Sequence, residues 1–169
     1  MSEKIFNILV LCTGNSARSI MAEALFNTMG HNRFRAYSAG SHPNGVVNPF
    51  AIARVAAIGY DTTALRSKSW DEFALADAPK MDFVITVCDN AAGEVCPTWP
   101  GQPITAHWSF EDPAAVTGDD ATKRRAFDKI FHQIMNRVQL FVNLPFKTLD
   151  AQSIKREMDN IGQSLQSPL

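Results

Sequence analysis

The sequence predicts an α/β protein: a doubly wound, four-stranded parallel sheet with helices on both faces, followed by a C-terminal helical extension. Three observations carry this prediction. Short apolar runs at residues 8–11 and 83–87 read as strands buried on both faces. Between and after them, apolar residues recur at three- and four-residue spacing, the period of a helix with one buried face. Strand, helix and strand also follow one another in chain order, and such a unit closes as a right-handed parallel crossover. A chain of 169 residues is long enough for one domain with a sizeable core.

Each element has its own signal. Residues 4–11 form the first strand. The first helix covers residues 17–29, with Ile20, Met21, Ala24, Leu25 and Met29 as its buried stripe and Gly30 just past its last turn. Residues 34–38 make a short second strand, and residues 38–48 a loop rich in Gly, Pro and Asn. Asn48 then caps a helix that has Pro49 at its first position. Ile52, Val55 and Ala56 face inward, and Gly59 ends it. Residues 61–70 read as loop or short helix, and Trp70-Asp71-Glu72-Phe73 opens another short helix. The third strand is residues 83–87. A long segment follows at residues 88–101, holding Gly93, Pro97, Pro100, Cys88 and Cys96; long irregular segments in compact domains tend to be functional. The fourth strand is residues 104–107, and residues 108–119 form a loop. In the last core helix, residues 120–144, Phe127, Ile130, Phe131, Ile134, Val138 and Phe141 make the inward stripe, and Pro145 stops it. The expected division is a core domain at residues 1–145 and a helical extension at residues 146–169. In that extension Ile154, Met158, Ile161 and Leu165 share one helical face. Packing on its own domain is the preferred reading of this face; docking on a second subunit, as a homodimer, is the alternative.

Composition excludes several function classes. Hydrophobic residues make up 46% and charged residues 20%, and the net charge is −1, so neither a nucleic-acid partner nor a membrane partner is expected. No apolar run approaches the ~18 residues of a membrane span, and no secretory pattern stands at the N-terminus; a cytoplasmic location is expected. No metal site is expected, because the Cys88–Cys96 spacing fits no zinc pattern and His107 is the nearest further ligand. Three cysteines in a reducing compartment argue for catalytic or redox use.

The chemistry concentrates in residues 9–19. Cys12 sits where the first strand stops. Gly14 and Asn15 supply a tight turn that tolerates positive φ, and a helix begins soon after. The turn's N–H groups and the helix N-terminus converge on one small volume, an anion site. Arg18 adds a planar fork of donors suited to a tetrahedral oxyanion. In that positive field Cys12 is expected to be partly thiolate at neutral pH. Ser19 either donates a hydrogen bond to Cys12 or caps the helix, and Asn15 holds the turn. In doubly wound sheets ligands bind beyond the carboxyl ends of the strands, which places Cys12, Cys88 and Asp112 at one edge. Asp112 precedes Pro113, so by residue type it is either a turn residue or a general acid. His31, His42 and His132 carry no expected role, and Trp99 or Trp108 shields the site or packs its loop.

The run Cys12-Thr13-Gly14-Asn15-Ser16-Ala17-Arg18-Ser19 resembles the active-site loop of the low-molecular-weight tyrosine phosphatase superfamily, and more closely that of its arsenate reductases. The resemblance continues through Tyr37-Ser38-Ala39-Gly40, Val87-Cys88-Asp89 and His107-Trp108-Ser109-Phe110-Glu111-Asp112-Pro113, and spans residues 5–144. Ala17 is a departure, since some of these reductases carry a second loop cysteine there. The resemblance implies a low-molecular-weight phosphatase-like fold with no bound cofactor, and arsenate held by Thr13, Gly14, Asn15, Ser16, Ala17, Arg18 and Ser19. It implies Cys12 as nucleophile and Asp112 as general acid. Cys88 then takes the oxidation from Cys12, and Cys96 takes it from Cys88, a thiol–disulfide relay. Eight positions separate Cys88 from Cys96, a span of up to ~29 Å when extended, and Gly93 lets the segment bend. Thioredoxin, or glutathione with glutaredoxin, would restore the thiols, and the role would be arsenic detoxification. The alternative is a low-molecular-weight tyrosine phosphatase. It would need the same loop but neither later cysteine, and it would be expected to carry aromatic residues beside Asp112-Pro113, where Ala114 and Ala115 stand. A third reading, a non-catalytic oxyanion sensor, would be marked by a lost nucleophile, and Cys12 is present. Some relatives bind potassium through residues matching Asn15, Glu23 and Ser38, though nothing else in the sequence demands a cation.

Overall fold

The computed structural model describes residues 4–89, 97 and 99–163. Four strands form one parallel sheet: β1 (Phe6–Cys12), β2 (Phe34–Gly40), β3 (Phe83–Thr86) and β4 (Ile104–His107), in the order β2-β1-β3-β4. Among the described residues, four α-helices accompany them: α1 (Arg18–Met29), α2 (Pro49–Ala56), α3 (Asp120–Val142) and α4 (Ala151–Gly162). The chain leaves β1 through α1 to β2 on one side, then crosses to β3 on the other. The crevice between β1 and β3 is therefore the switch point, where open sheets place their ligands.

The buried run Ile8 to Leu11 explains why β1 is central: it has no face or edge to show to water. Its even-numbered residues Ile8 and Val10 point to a core shared with α1, α2 and α3. There Phe141 meets Phe26, Phe34, Phe83 and Trp108 with ring centroids 5.1–5.9 Å apart. Burying such a ring stabilises the fold by about 1.5–3 kcal/mol. The odd-numbered residues Leu9 and Leu11 face a second cluster with Val84, Met81, Trp99 and the 3₁₀ turn Trp70–Phe73.

The strands end at residues that the register selects. Cys12 pairs with Gly40, and Leu11 pairs with Thr86. β2 runs to Gly40, two residues past the expected end, because Ser38, Ala39 and Gly40 pair with Val10, Leu11 and Cys12. Gly40 is required there: a Cβ would lie 2.4 Å from the Thr13 carbonyl oxygen and 3.0 Å from the Asn15 nitrogen. Asn48 caps α2 by accepting from the Phe50 N–H at 2.8 Å, with Pro49 first in the helix, as expected.

α4 buries Ile154, Met158 and Ile161, and it packs on β4 and α3 of its own chain. The Met158 carbonyl accepts a 3.0 Å hydrogen bond from the Trp108 indole. Leu165, also assigned to this face, lies outside the described residues. Trp99 and Trp108 are both packing residues, in the second and first core clusters respectively. No helix among the described residues is long and apolar enough to cross a membrane.

Candidate active site

The loop after β1 closes on itself around a cavity of about 310 Å³. Residues 12–18 line it, with Asn44, Asn48, Asp112 and Ala114. The expected loop residues Thr13, Gly14, Asn15, Ser16, Ala17 and Arg18 are therefore brought together with Cys12 and Asp112. Asn15 takes φ +47°, the left-handed conformation expected of this turn. Its side chain is fixed at both ends. The Lys68 N–H donates to its oxygen at 2.9 Å, which leaves its nitrogen to donate to Ser19 Oγ at 2.8 Å. Ser19 Oγ lies 3.0 Å from Cys12 Sγ; with the amide donating to the oxygen, the hydroxyl proton is free to point at sulfur. The Asn15 N–H also donates to Cys12 Sγ at 3.2 Å. Ser19 thus serves the cysteine, and the start of α1 at Ala17 has no side-chain cap. The loop is supported from outside as well. The Ser67 hydroxyl donates to the Gly14 carbonyl at 3.0 Å, and the N–H groups of His42, Asn44 and Asn48 donate to the carbonyls of Thr13, Gly14 and Ser16.

Cys88 lies just past β3, buried like Cys12. Its sulfur is 3.5 Å from Thr13 Oγ1 and hydrogen-bonds the Cys12 thiol. That pairing and burial push the Cys12 thiol well above its ordinary pKa, against the pull of the Ser19 hydroxyl and the Asn15 N–H. The expectation of a partly ionised Cys12 is corrected here. The loop alone favours the thiolate, but a second thiol in contact and a dry surrounding oppose it. Cys96 lies outside the described residues.

Arg18 donates to the Phe110 carbonyl at 2.9 Å, and its other terminal nitrogen is 3.8 Å from Asp112 Oδ2. Asp112 accepts from the Ala114 N–H at 3.0 Å through Oδ1. It is thus a turn residue and a carboxyl at the rim of the pocket at once. Its loop is held by Arg137, a buried cation of α3 that donates to the Ser109 carbonyl at 3.0 Å and lies over the Phe110 ring at 4.7 Å. Arg137, Asn44, Asn48, Ser67 and Lys68 escaped the sequence reading. Asn48 carried a signal only as a cap, and the others are close to the loop in space and far from it in sequence.

The residues matching a potassium site do not fit one here. Glu23 accepts from the Ser38 hydroxyl at 2.8 Å, but the positive charge beside it is the Lys68 ammonium, 3.9 Å away. Burial raises the Glu23 carboxyl and lowers the Lys68 amine, while each draws the other back toward its charged form. Both oxygen and nitrogen of the Asn15 amide are already engaged. Among the described residues no group of three or more His, Cys, Asp or Glu side chains converges as a metal site.

A Cys-x5-Arg loop folded around a cavity, at the switch point of a four-stranded parallel sheet with helices, defines the class: α/β proteins with a phosphatase-type cysteine loop. The sequence profile of low molecular weight phosphotyrosine protein phosphatases matches residues 7–159, and the chain belongs to that family. It is 38% identical to an arsenate reductase of Halalkalibacterium halodurans over 141 residues, 83% of this chain and 96% of the relative. It is 36% identical to an arsenate reductase of Bacillus subtilis over the same shares. Among solved structures, one described as an arsenate reductase in the phosphate binding state superposes with TM-score 0.65 at 29% identity, covering 82% of this chain and 97% of that one. An arsenate reductase from Archaeoglobus fulgidus superposes with TM-score 0.59 at 33% identity, covering 78% and 98%.

Proposed function

We propose that this protein is a cytoplasmic arsenate reductase that converts arsenate to arsenite through a thiol relay. The observation that carries this reading is the pairing of the buried Cys88 thiol with Cys12, whose side of the loop lines the cavity. The family relatives named arsenate reductase support the substrate.

In this mechanism the loop N–H groups and Arg18 hold the oxygens of arsenate and stabilise charge as it develops, typically the largest catalytic contribution. One proton passes between the two sulfurs, so that Cys12 attacks as thiolate. Its sulfur bonds to arsenic, and one oxygen leaves as water on taking a proton from Asp112. Cys88 then passes the proton it took to an oxygen on arsenic and, as thiolate, attacks Cys12 Sγ. The S–S bond forms, the S–As bond breaks, and its electron pair stays on arsenic, which falls from As(V) to As(III) while the two sulfurs are oxidised to a disulfide. Cys96 attacks Cys88 in turn, freeing Cys12 and leaving Cys88–Cys96 for an external thiol reductant, either thioredoxin or glutathione with glutaredoxin. The phosphatase alternative gains nothing at the rim, where Ala114 offers no aromatic wall for a phenyl ring.

The test is arsenate-dependent NADPH oxidation, coupled in one arm to thioredoxin and its reductase and in the other to glutathione and glutaredoxin. Cys12→Ser, Cys88→Ser and Cys96→Ser are each expected to abolish turnover, and only Cys12→Ser to abolish hydrolysis of para-nitrophenyl phosphate. Normal arsenate turnover by Cys88→Ser would end the relay reading.

A further inference from the structure

Cys88 is bracketed by two side chains that bind the same imidazole. Thr86, the last residue of β3, places Oγ1 2.7 Å from His107 Nδ1. Asp89, the residue after Cys88, accepts from His107 Nε2 at 2.9 Å through Oδ1. The same oxygen accepts from the Ser109 hydroxyl at 3.0 Å. The Trp108 N–H also donates to the Thr86 carbonyl at 2.8 Å. The turn at residues 86–89 is thus clipped to the end of β4 on both sides of Cys88.

We propose that Asp89 and His107 are positioning residues for the thiol pair, holding Cys88 Sγ against Cys12 by tying the chain on either side of it to β4. The proposal rests on the relay reading above.

The geometry explains why the clip acts on this step in particular. Sulfur–sulfur displacement needs the attacking thiolate in line with the bond that breaks, and small displacements slow such reactions steeply. The backbone of Cys88 itself has left the sheet, so strand pairing no longer fixes it. The imidazole restores that constraint from a neighbouring strand, and the fixed β3–β4 register, Thr86 opposite His107, sets its place. Neither bond depends on one charge state of the ring. With Nε2–H donating to Asp89, Nδ1 accepts from the Thr86 hydroxyl when neutral and donates to its oxygen when protonated. Hydrogen bonds from His107 and Ser109 hold the Asp89 carboxyl below its usual range, so it stays an acceptor through neutral pH. Ser109 adds a second consequence. Its carbonyl is the one Arg137 holds, and it begins the loop that leads to Phe110 and Asp112. Arg137 holds that loop independently of Asp89, so the acid keeps its place when the Asp89 bonds are lost.

The test separates the two sulfur steps. Asp89→Ala and His107→Ala are compared with wild type in a background of Cys96→Ser, in single turnover without external reductant. The readouts are arsenite release and loss of two thiols, alongside para-nitrophenyl phosphate hydrolysis, which needs no second thiol. Both variants are expected to slow arsenite release about three- to ten-fold, the effect of losing one modest hydrogen bond, with phosphate-ester hydrolysis unchanged within about two-fold. Asp89→Asn keeps an acceptor oxygen and is expected to restore most of the rate. The double variant is expected to be slower than either single one by less than the product of the two effects, because the residues share one bond and each keeps a second partner. Equal slowing of both activities, or wild-type arsenite release by Asp89→Ala, overturns the proposal. If the wild type itself releases no arsenite, the reductase reading fails instead. The clip is then judged by the rate at which diamide forms the Cys12–Cys88 disulfide: slower in Asp89→Ala supports it, unchanged removes it.

Discussion

Cys12 stands between opposed influences, and they set its reactivity. The Ser19 hydroxyl and the Asn15 N–H favour its anion, whereas the Cys88 thiol and burial favour its neutral form, and the second pair prevails. The pH at which Cys12 becomes alkylated by iodoacetamide should therefore move in opposite directions in two variants. Cys88→Ala removes the principal cause of the raised pKa, so the profile shifts to lower pH. Ser19→Ala removes a donor to the thiolate, so the profile shifts to higher pH. Shifts of the reverse sign would show that the two thiols do not share a proton. The residues of this site were unequally legible. Cys12 and Arg18 lie within one short loop between an apolar strand and a helix, so that local context, more than their spacing, exposes them. Asp112 was ambiguous because an Asp before Pro serves turns as readily as chemistry, and here it serves the turn as well. The partnership of Asp89 with His107 spans eighteen positions and exists only because β3 and β4 pair in one particular register. No local pattern carries that.

At the scale of elements, periodicity read the long helix α3 correctly and the short α2 only in part: Val55 is buried as expected, but Ala56, expected to face inward, is exposed and Ala51 takes its place. The stripe Phe127, Ile130, Phe131, Ile134, Val138 and Phe141 is buried along α3 as its spacing requires. β2 outran its expectation because Ala39 and Gly40 have little intrinsic strand preference, and pairing with β1 overrides that. Phe141 is where these elements meet: its ring touches residues of α1, β2, β3 and the start of the loop after β4. Phe141→Ala should lower the unfolding free energy by roughly 3–5 kcal/mol, read from urea denaturation, since four packed walls cannot collapse into the void. A loss below about 1 kcal/mol would mean that α3 does not close the core as described.

For the whole molecule, the cavity is a meeting point of segments distant in sequence: the β1–α1 loop, the segment bearing Asn44 and Asn48, and the loop bearing Asp112. A tetrahedral anion bound there ties all three to the folded state and nothing comparable to the unfolded one. Phosphate or arsenate at one hundred times its dissociation constant should then add about 2.7 kcal/mol. For a chain of this size that is a rise of about 5–10 °C in unfolding midpoint. Calorimetry on Cys12→Ser, at ionic strength matched with chloride, reads it without turnover; Arg18→Ala should abolish the rise, and an equal rise in that variant would place the anion elsewhere. Placing Cys12, Cys88 and Asp112 together needed only the alternation of strands and helices, since topology sends the ends of parallel strands to one edge. Their distances needed the register.

The seat of α4 has a consequence beyond packing. β4 is the outer strand, and the N–H groups of Ile104 and Trp108 point inward to β3. The carbonyls of Thr105 and His107 therefore face away from the sheet. Lys155 of α4 donates to the first, and Gly162 lies so close to the second that a Cβ would sit 2.6 Å from it. An open flank of this kind is a template on which other chains add strands and precipitate. The terminal helix occupies that flank, so a foreign strand could add to β4 only by displacing α4.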